Sequence, residues 1–130
     1  MTAPTATLRV LVVEDDADVA DSTAALLAFW GHTTRAERDP LRALQVADDF
    51  RPHAVLLDIG LPRMHGYDLA RRLRERPWSQ GTRLIAVTGW DNDADRKQSM
   101  ISGIHHHLVK PVRPSVLEHI LAGIAPVDHD

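Results

Sequence analysis

Between His53 and Gly66 the chain carries four apolar residues in a row, Ala54-Val55-Leu56-Leu57, then one carboxylate, Asp58, and at once a loop punctuated by Gly60, Pro62 and Gly66. An apolar run without alternation, bounded by turn formers, reads as a strand buried on both faces. A parallel sheet covered by helices on each side provides such a place. Asp58 then stands at the carboxyl end of that strand, and in open α/β sheets the ligand crevice lies outside the carboxyl ends. A single Asp after a strand more often caps a turn through its own side chain. The functional reading therefore depends on what the other strands bring to the same edge.

One domain is the natural count for 130 residues, and a 44% hydrophobic content supplies an ordinary core. The expected division is a tail over 1–6, a folded domain over 7–124 and a second tail over 125–130. Without Cys there is no disulfide framework and no thiolate metal site, which agrees with a reducing compartment. Residues 1–6 are too short and too polar for a signal sequence, and no apolar run approaches the ~20 residues that cross a bilayer. The expectation is a cytoplasmic domain with no membrane association. A net charge of -3, with 13 Arg and 2 Lys spread along the chain, gives no electrostatic reason to expect nucleic acid.

Read in order, Leu8-Arg9-Val10-Leu11-Val12-Val13 is a first strand that stops at Glu14-Asp15-Asp16. From Asp18, the expected N-cap, Val19, Leu26, Leu27 and Trp30 recur at helical spacing up to Gly31. His32 to Ala36 is a short polar strand suited to a sheet edge. Asp39-Pro40 pairs a capping residue with Pro at the first helical position and opens a helix through Phe50. After the Asp58 loop, Tyr67, Leu69, Ala70 and Leu73 mark a third helix ending before Pro77. Leu84-Ile85-Ala86-Val87 is another apolar strand closed by Thr88. A fourth helix is expected from Asp93 to Ser102, sparse in apolar residues and so the least firmly packed, with Gly103 ending it. His106 to Lys110 forms a last strand before Pro111, and Val116, Leu117, Ile120, Leu121 and Ile124 line a fifth helix. Five strands alternating with five helices give a doubly wound α/β domain with a parallel sheet and right-handed crossovers.

The polar residues left at the carboxyl ends of the strands are Glu14 and Asp15, Asp58, Thr88 and Lys110. Clustered carboxylates repel one another, and a hard divalent cation with retained water, Mg2+, relieves that repulsion. A hydroxyl and an ammonium beside them offer donors to phosphoryl oxygens. The parts fit phosphoryl transfer to a carboxylate, with Asp58 as nucleophile. Singly, each residue has a plainer explanation: Glu14 to Asp18 favour a helix N-terminus, and Thr88 and Lys110 suit a surface. Four strand ends with compatible chemistry outweigh those separate explanations.

Glu14-Asp15, the Leu56-Leu57-Asp58 run with Leu61-Pro62 and Gly66, Val87-Thr88-Gly89 and Val109-Lys110-Pro111 together resemble the receiver domain of two-component response regulators, over residues from about 7 to 124. The resemblance implies a flavodoxin-like sheet of order 2-1-3-4-5 and an Asp phosphorylated from the phosphohistidine of a histidine kinase or phosphotransfer protein. By that resemblance Asp58 is the phosphoacceptor. Glu14, Asp15, Asp58 and the Gly60 backbone carbonyl hold Mg2+, Thr88 and Lys110 contact the phosphoryl group, and the Lys110-Pro111 bond is cis. The domain is then regulatory rather than an enzyme acting on a separate substrate.

Two departures stand out. His107 occupies the place, three before the Lys, where the family often has Tyr or Phe, a trait similar to receivers attached to hybrid sensor kinases. Nothing follows the fifth helix, so no output domain is expected in this chain. An output surface is expected on the fourth helix, the last strand and the fifth helix, with His107 at its centre. Trp90, two residues after Thr88, is expected beside the pocket, where it would obstruct hydrolytic water, while Gly60 leaves its own side open. A phosphatase of the haloacid-dehalogenase type would need a second Asp at position 60, and no phosphate-binding Gly-rich motif supports a nucleotide site. His105 and His107 make too few ligands for a metal, and solvent or partner contact is the expectation for them.

Overall fold

The computed structural model describes residues 7–61, 64–89, 97 and 102–126. Its strands are β1 (Arg9–Val13), β2 (Thr33–Glu37), β3 (Ala54–Asp58), β4 (Arg83–Thr88) and β5 (His106–Val109), all parallel, in the order β2-β1-β3-β4-β5. The helices among the described residues are α1 (Ala17–Phe29), α2 (Pro40–Phe50), α3 (Gly66–Arg74), a 3-10 turn (Pro77–Gly81) and α4 (Pro114–Ala122). The helix expected over 93–102 lies outside the described residues, apart from Lys97, which is helical, and Ser102.

The apolar runs explain the layers. Along β1 and β3, side chains alternate between two cores. Leu11, Val13, Val55 and Leu57 pack with Ala43, Leu44 and Ala47 of α2 and Leu69, Ala70 and Leu73 of α3. Val10, Val12, Ala54 and Leu56 pack with Leu27 of α1 and Leu117 and Leu121 of α4. Both faces of the central strands are therefore dry, and each fully buried Leu contributes roughly 1.5–3 kcal/mol. β2 lies at an edge, and its exposed Thr33, Arg35 and Ala36 account for its polar sequence. From β1 the chain winds one way to β2 and the other way through β3, so the crevice between β1 and β3 is the topological switch point.

The first helix begins two residues earlier than a cap at Asp18 implies. Asp16 is the N-cap, its Oδ1 accepting the amides of Asp18 (3.0 Å) and Val19 (3.2 Å). Its carboxylate is thereby committed to the helix, which leaves Glu14 and Asp15 for the crevice. Asp39 caps α2 as the Asp-Pro pair requires. The turn over Pro77–Gly81 was not legible, because Pro77 reads equally well as a plain terminator. Trp78 Nε1 and Arg76 Nε both reach Asp48 Oδ1 of α2, at 3.0 and 3.2 Å, and anchor it.

Candidate functional site

Four strand ends meet at one edge. Glu14 follows β1 directly, Asp58 closes β3, Thr88 closes β4 and Lys110 follows β5. The ladder pairs Asp58 with Val87 and Thr88 with Val109, and the Lys110 amide donates to the Thr88 carbonyl at 2.7 Å. Lys110 Nζ then lies 3.2 Å from Asp58 Oδ2 and 3.4 Å from Glu14 Oε1. Ligand oxygens of Glu14, Asp15 and Asp58 all stand within 4.8 Å of one another. The Lys110-Pro111 bond is cis. A groove of about 520 Å³ between α1 and α4 runs down to Glu14, Asp58 and Lys110 past Val19, Leu26 and Leu117.

Burial and repulsion set the charge states. The Glu14 carboxyl is pushed up from 4.5 to about 7, first by burial and then by the hydrogen bond and charge of Asp58, with Lys110 pulling the other way. Burial also acts to raise Asp58, but the proton held on Glu14, the Gly60 amide and Lys110 outweigh it and hold Asp58 below its ordinary value. Burial would lower Lys110, yet the two carboxylates raise it, so the ammonium persists. One acid pushed up beside one held down is what crowded, interacting carboxylates do. The donor set, three carboxylates and no sulfur or imidazole, fits a hard divalent ion such as Mg2+.

The loop after Asp58 is built to hold that carboxylate. The Gly60 amide donates to Asp58 Oδ1 at 3.0 Å, and the Gly66 amide donates to the Ile59 carbonyl at 3.0 Å. Gly66 permits this close return: a Cβ there would sit 2.6 Å from Ile59 Cα and 2.8 Å from the Asp58 carbonyl oxygen, both backbone. Its place in the sequence motif thus has a steric cause.

The structure brings Glu14, Asp15, Asp58 and Lys110 together and ends the neighbouring strand β4 at Thr88, beside Asp58's strand. His107 lies in β5 opposite Ala86, partly covered, on the sheet face that packs against α2 and α3. Trp90 lies outside the described residues. His105 is exposed, in keeping with its expected solvent contact, and it also serves the backbone. It precedes β5, and its Nδ1 accepts the Leu84 amide at 3.1 Å and faces Arg74 Nη2 at 2.9 Å. One contact at the site gave no sequence signal: Arg38 Nε donates to the Asp15 carbonyl at 2.9 Å.

Residues 10–122 match the response regulator receiver domain. The chain belongs to that family. It is 31% identical over 109 residues to an uncharacterized 14.6 kDa protein of Leptolyngbya boryana, covering 84% of this chain and 83% of the other. It is also 32% identical to the response regulator MprA of Mycobacterium ulcerans, covering 88% of this chain and spanning about half of MprA (47%). Among solved structures, the BeF3-activated receiver domain of Klebsiella pneumoniae RstA superposes with a TM-score of 0.79 at 31% identity, over 87% of this chain and 94% of that one. The receiver domain of the sensor histidine kinase PA1611 of Pseudomonas aeruginosa, whose structure has a magnesium ion in the active-site cleft, gives 0.81 at 28%, over 92% and 98%. Among the described residues of this receiver domain, no helix is long and apolar enough to cross a membrane.

Proposed function

We propose that this receiver domain accepts a phosphoryl group on Asp58 from a phosphohistidine of a histidine kinase or phosphotransfer protein, with Mg2+ held by Glu14, Asp15, Asp58 and the Gly60 carbonyl. One observation carries the reading: an Asp58 kept ionised at a strand end, with Lys110 Nζ at 3.2 Å and two further acids within 4.8 Å. A magnesium ion in the active-site cleft of the related PA1611 receiver domain supports the reading, and the donor set here fits such an ion. Bound Mg2+ would supply the positive charge that lets a phosphoryl dianion approach three carboxylates.

The chain's own groups do the rest. The Gly60 amide fixes Oδ1, and Oδ2 is left to Lys110 Nζ at 3.2 Å. An Asp58 oxygen attacks phosphorus in line, the P–N bond to the donor imidazole breaks, and the imidazole leaves with the bonding electron pair. Lys110, already bonded to Oδ2 and Glu14, shifts its bonds to a phosphoryl oxygen as the new group takes that space. Thr88, at the end of β4, offers its hydroxyl to a second oxygen. These two stand at the ends of β4 and β5, with α4 following Lys110, so drawing them inward alters the surface of β5 and α4 and with it the affinity for a downstream partner. His107 is the candidate reporter within it. The domain takes part in its own phosphorylation, and it then either signals by docking or passes the phosphoryl group along a relay.

The test is labelling with acetyl phosphate, followed by borohydride trapping and mass spectrometry. Label is expected on Asp58, dependent on Mg2+ and absent in Asp58→Asn. Label elsewhere, or equal labelling in the variant, would sink the assignment.

A further inference from the structure

The loop after β2 is wired to the acid pocket. Glu37, the last residue of β2, accepts the amides of Arg38 (2.8 Å) and Asp39 (3.1 Å) at Oε2, and its Oε1 lies 3.4 Å from Arg42 Nε. Its carbonyl receives the Glu14 amide at 3.1 Å. The backbone leading into Arg38 is thus fixed at both its carbonyl and its amide. From there the Arg38 side chain crosses to β1's end and donates Nε to the Asp15 carbonyl at 2.9 Å. That carbonyl belongs to the Asp15–Asp16 peptide, whose other side is pinned by the Asp16 cap on α1. The Asp15 amide donates to Glu14 Oε2 at 3.1 Å. Asp15 itself is less covered than Glu14, so these backbone contacts carry more of its placement.

We infer that Arg38 is a positioning residue for the cation pocket. Through the Asp15 carbonyl it orders the β1–α1 loop so that the Asp15 carboxylate stands ready beside those of Glu14 and Asp58. The inference rests on reading these three acids as the Mg2+ site. A ligand on a loose loop must be ordered when the ion binds, and that entropy is lost from the affinity. Charge alone acts in the opposite sense: a guanidinium near the pocket repels a cation, so removing it would tighten binding. The two roles therefore differ in sign.

Calorimetric titration of Mg2+ into the full chain, with wild type, Arg38→Ala and Arg38→Lys, separates them. Positioning predicts that Arg38→Ala weakens Mg2+ binding about ten-fold, the low end of losses from groups that orient metal ligands. The Asp16 amide resonance, directly after the held carbonyl, shifts in metal-free Arg38→Ala. Labelling by acetyl phosphate returns to the wild-type rate once Mg2+ is raised in proportion. Arg38→Lys, able to place Nζ on the same carbonyl, recovers most of the affinity. Tighter or unchanged Mg2+ binding in Arg38→Ala, with wild type binding normally, overturns the inference alone, as does a labelling deficit that saturating Mg2+ leaves in place. No Mg2+ binding by wild type overturns the cation reading and the inference with it.

Discussion

The two edges of this sheet solve opposite problems. At the amino ends of the strands, side chains are spent on backbone groups. His32 Nδ1 accepts the Leu8 amide at 3.1 Å, His53 Nδ1 the Arg9 amide at 2.8 Å and His105 Nδ1 the Leu84 amide at 3.1 Å. Each of these histidines stands one residue before a strand. Arg9 donates to the Phe50 and Arg51 carbonyls, stabilising Arg51 in its left-handed conformation at φ 47. Arg74 donates to the carbonyls of Gly103, Ser79 and Thr82 at 3.1, 2.6 and 2.6 Å. At the carboxyl ends three acids crowd around one ammonium, and one of them is driven to hold a proton near neutrality. One edge is satisfied and the other is held in tension, and the tension marks where an added ion and a phosphoryl group would be accommodated.

The sharpest way to break this contrast is Arg74→Ala. It deprives three carbonyls of a charged donor and should destabilise the fold by about 2–4 kcal/mol in chemical denaturation. Acetyl phosphate labelling of Asp58, measured well below the variant's melting point, should stay within two-fold of wild type, on the order of the scatter expected for independent sites. Loss of labelling in folded Arg74→Ala would show that the two edges are not separable.

Gly66→Ala tests the one place where packing and site coincide. Its methyl would meet the backbone of Asp58 and Ile59. A loss of about 1–3 kcal/mol is expected from overpacking. The Asp58 loop must shift to relieve it, so labelling should fall together with stability, unlike in Arg74→Ala. A melt lowered without any change in labelling would mean that α3 yields instead of the loop.

How much of this was legible follows the same division. The carboxyl edge could be read because three of its polar residues end apolar runs, and the run itself fixes where the strand stops: Glu14 after Val10–Val13, Asp58 after Ala54–Leu57, Thr88 after Leu84–Val87. The sheet order came with the resemblance, and the alternation of buried strands and helices already required a doubly wound sheet. The amino edge was not legible, because His32, His53 and His105 lie beside backbone groups 24, 44 and 21 residues away. Arg74 likewise read only as one more charge on α3, and Arg38 as one more Arg in a loop. Asp18 was mistaken for the cap because four acids follow β1 within five residues, and only geometry shows which carboxylate meets the free amides.

A smaller effect is expected from Glu14→Gln. Relieving one of the crowded acids should stabilise the metal-free protein at pH 8 by about 1 kcal/mol, or roughly 3–6 °C in melting temperature. Addition of Mg2+ should raise the melting temperature of wild type and do so less in the variant. A variant that melts lower than wild type without Mg2+ would show that the Glu14–Lys110 pair outweighs burial and repulsion.

The smallest effect is a pH signature in which the two edges have opposite signs. Burial, with Arg74, Arg83 and His106 nearby, lowers His105 from 6.5 to about 4. Between those values the unfolded chain binds more protons at this residue than the folded one. Its contribution to stability is complete above pH 6.5 and is lost as pH falls toward 4. Glu14 runs the other way: its folded value near 7 lies above 4.5, so the folded state binds more protons, and stability declines as pH rises from 4.5 to 7. In metal-free wild type the two slopes oppose each other over the shared window and partly cancel. His105 is exposed, and screening keeps its share to under about 1 kcal/mol. His105→Asn separates them, since an amide oxygen can take the place of Nδ1 as acceptor for the Leu84 amide without titrating. Urea melts between pH 4 and 7.5 should then show stability falling more steeply with rising pH in His105→Asn than in wild type, while Glu14→Gln should show the reverse, a net rise. Parallel profiles in all three proteins would mean that neither group governs the acid limb and that the contrast between the edges is geometric only.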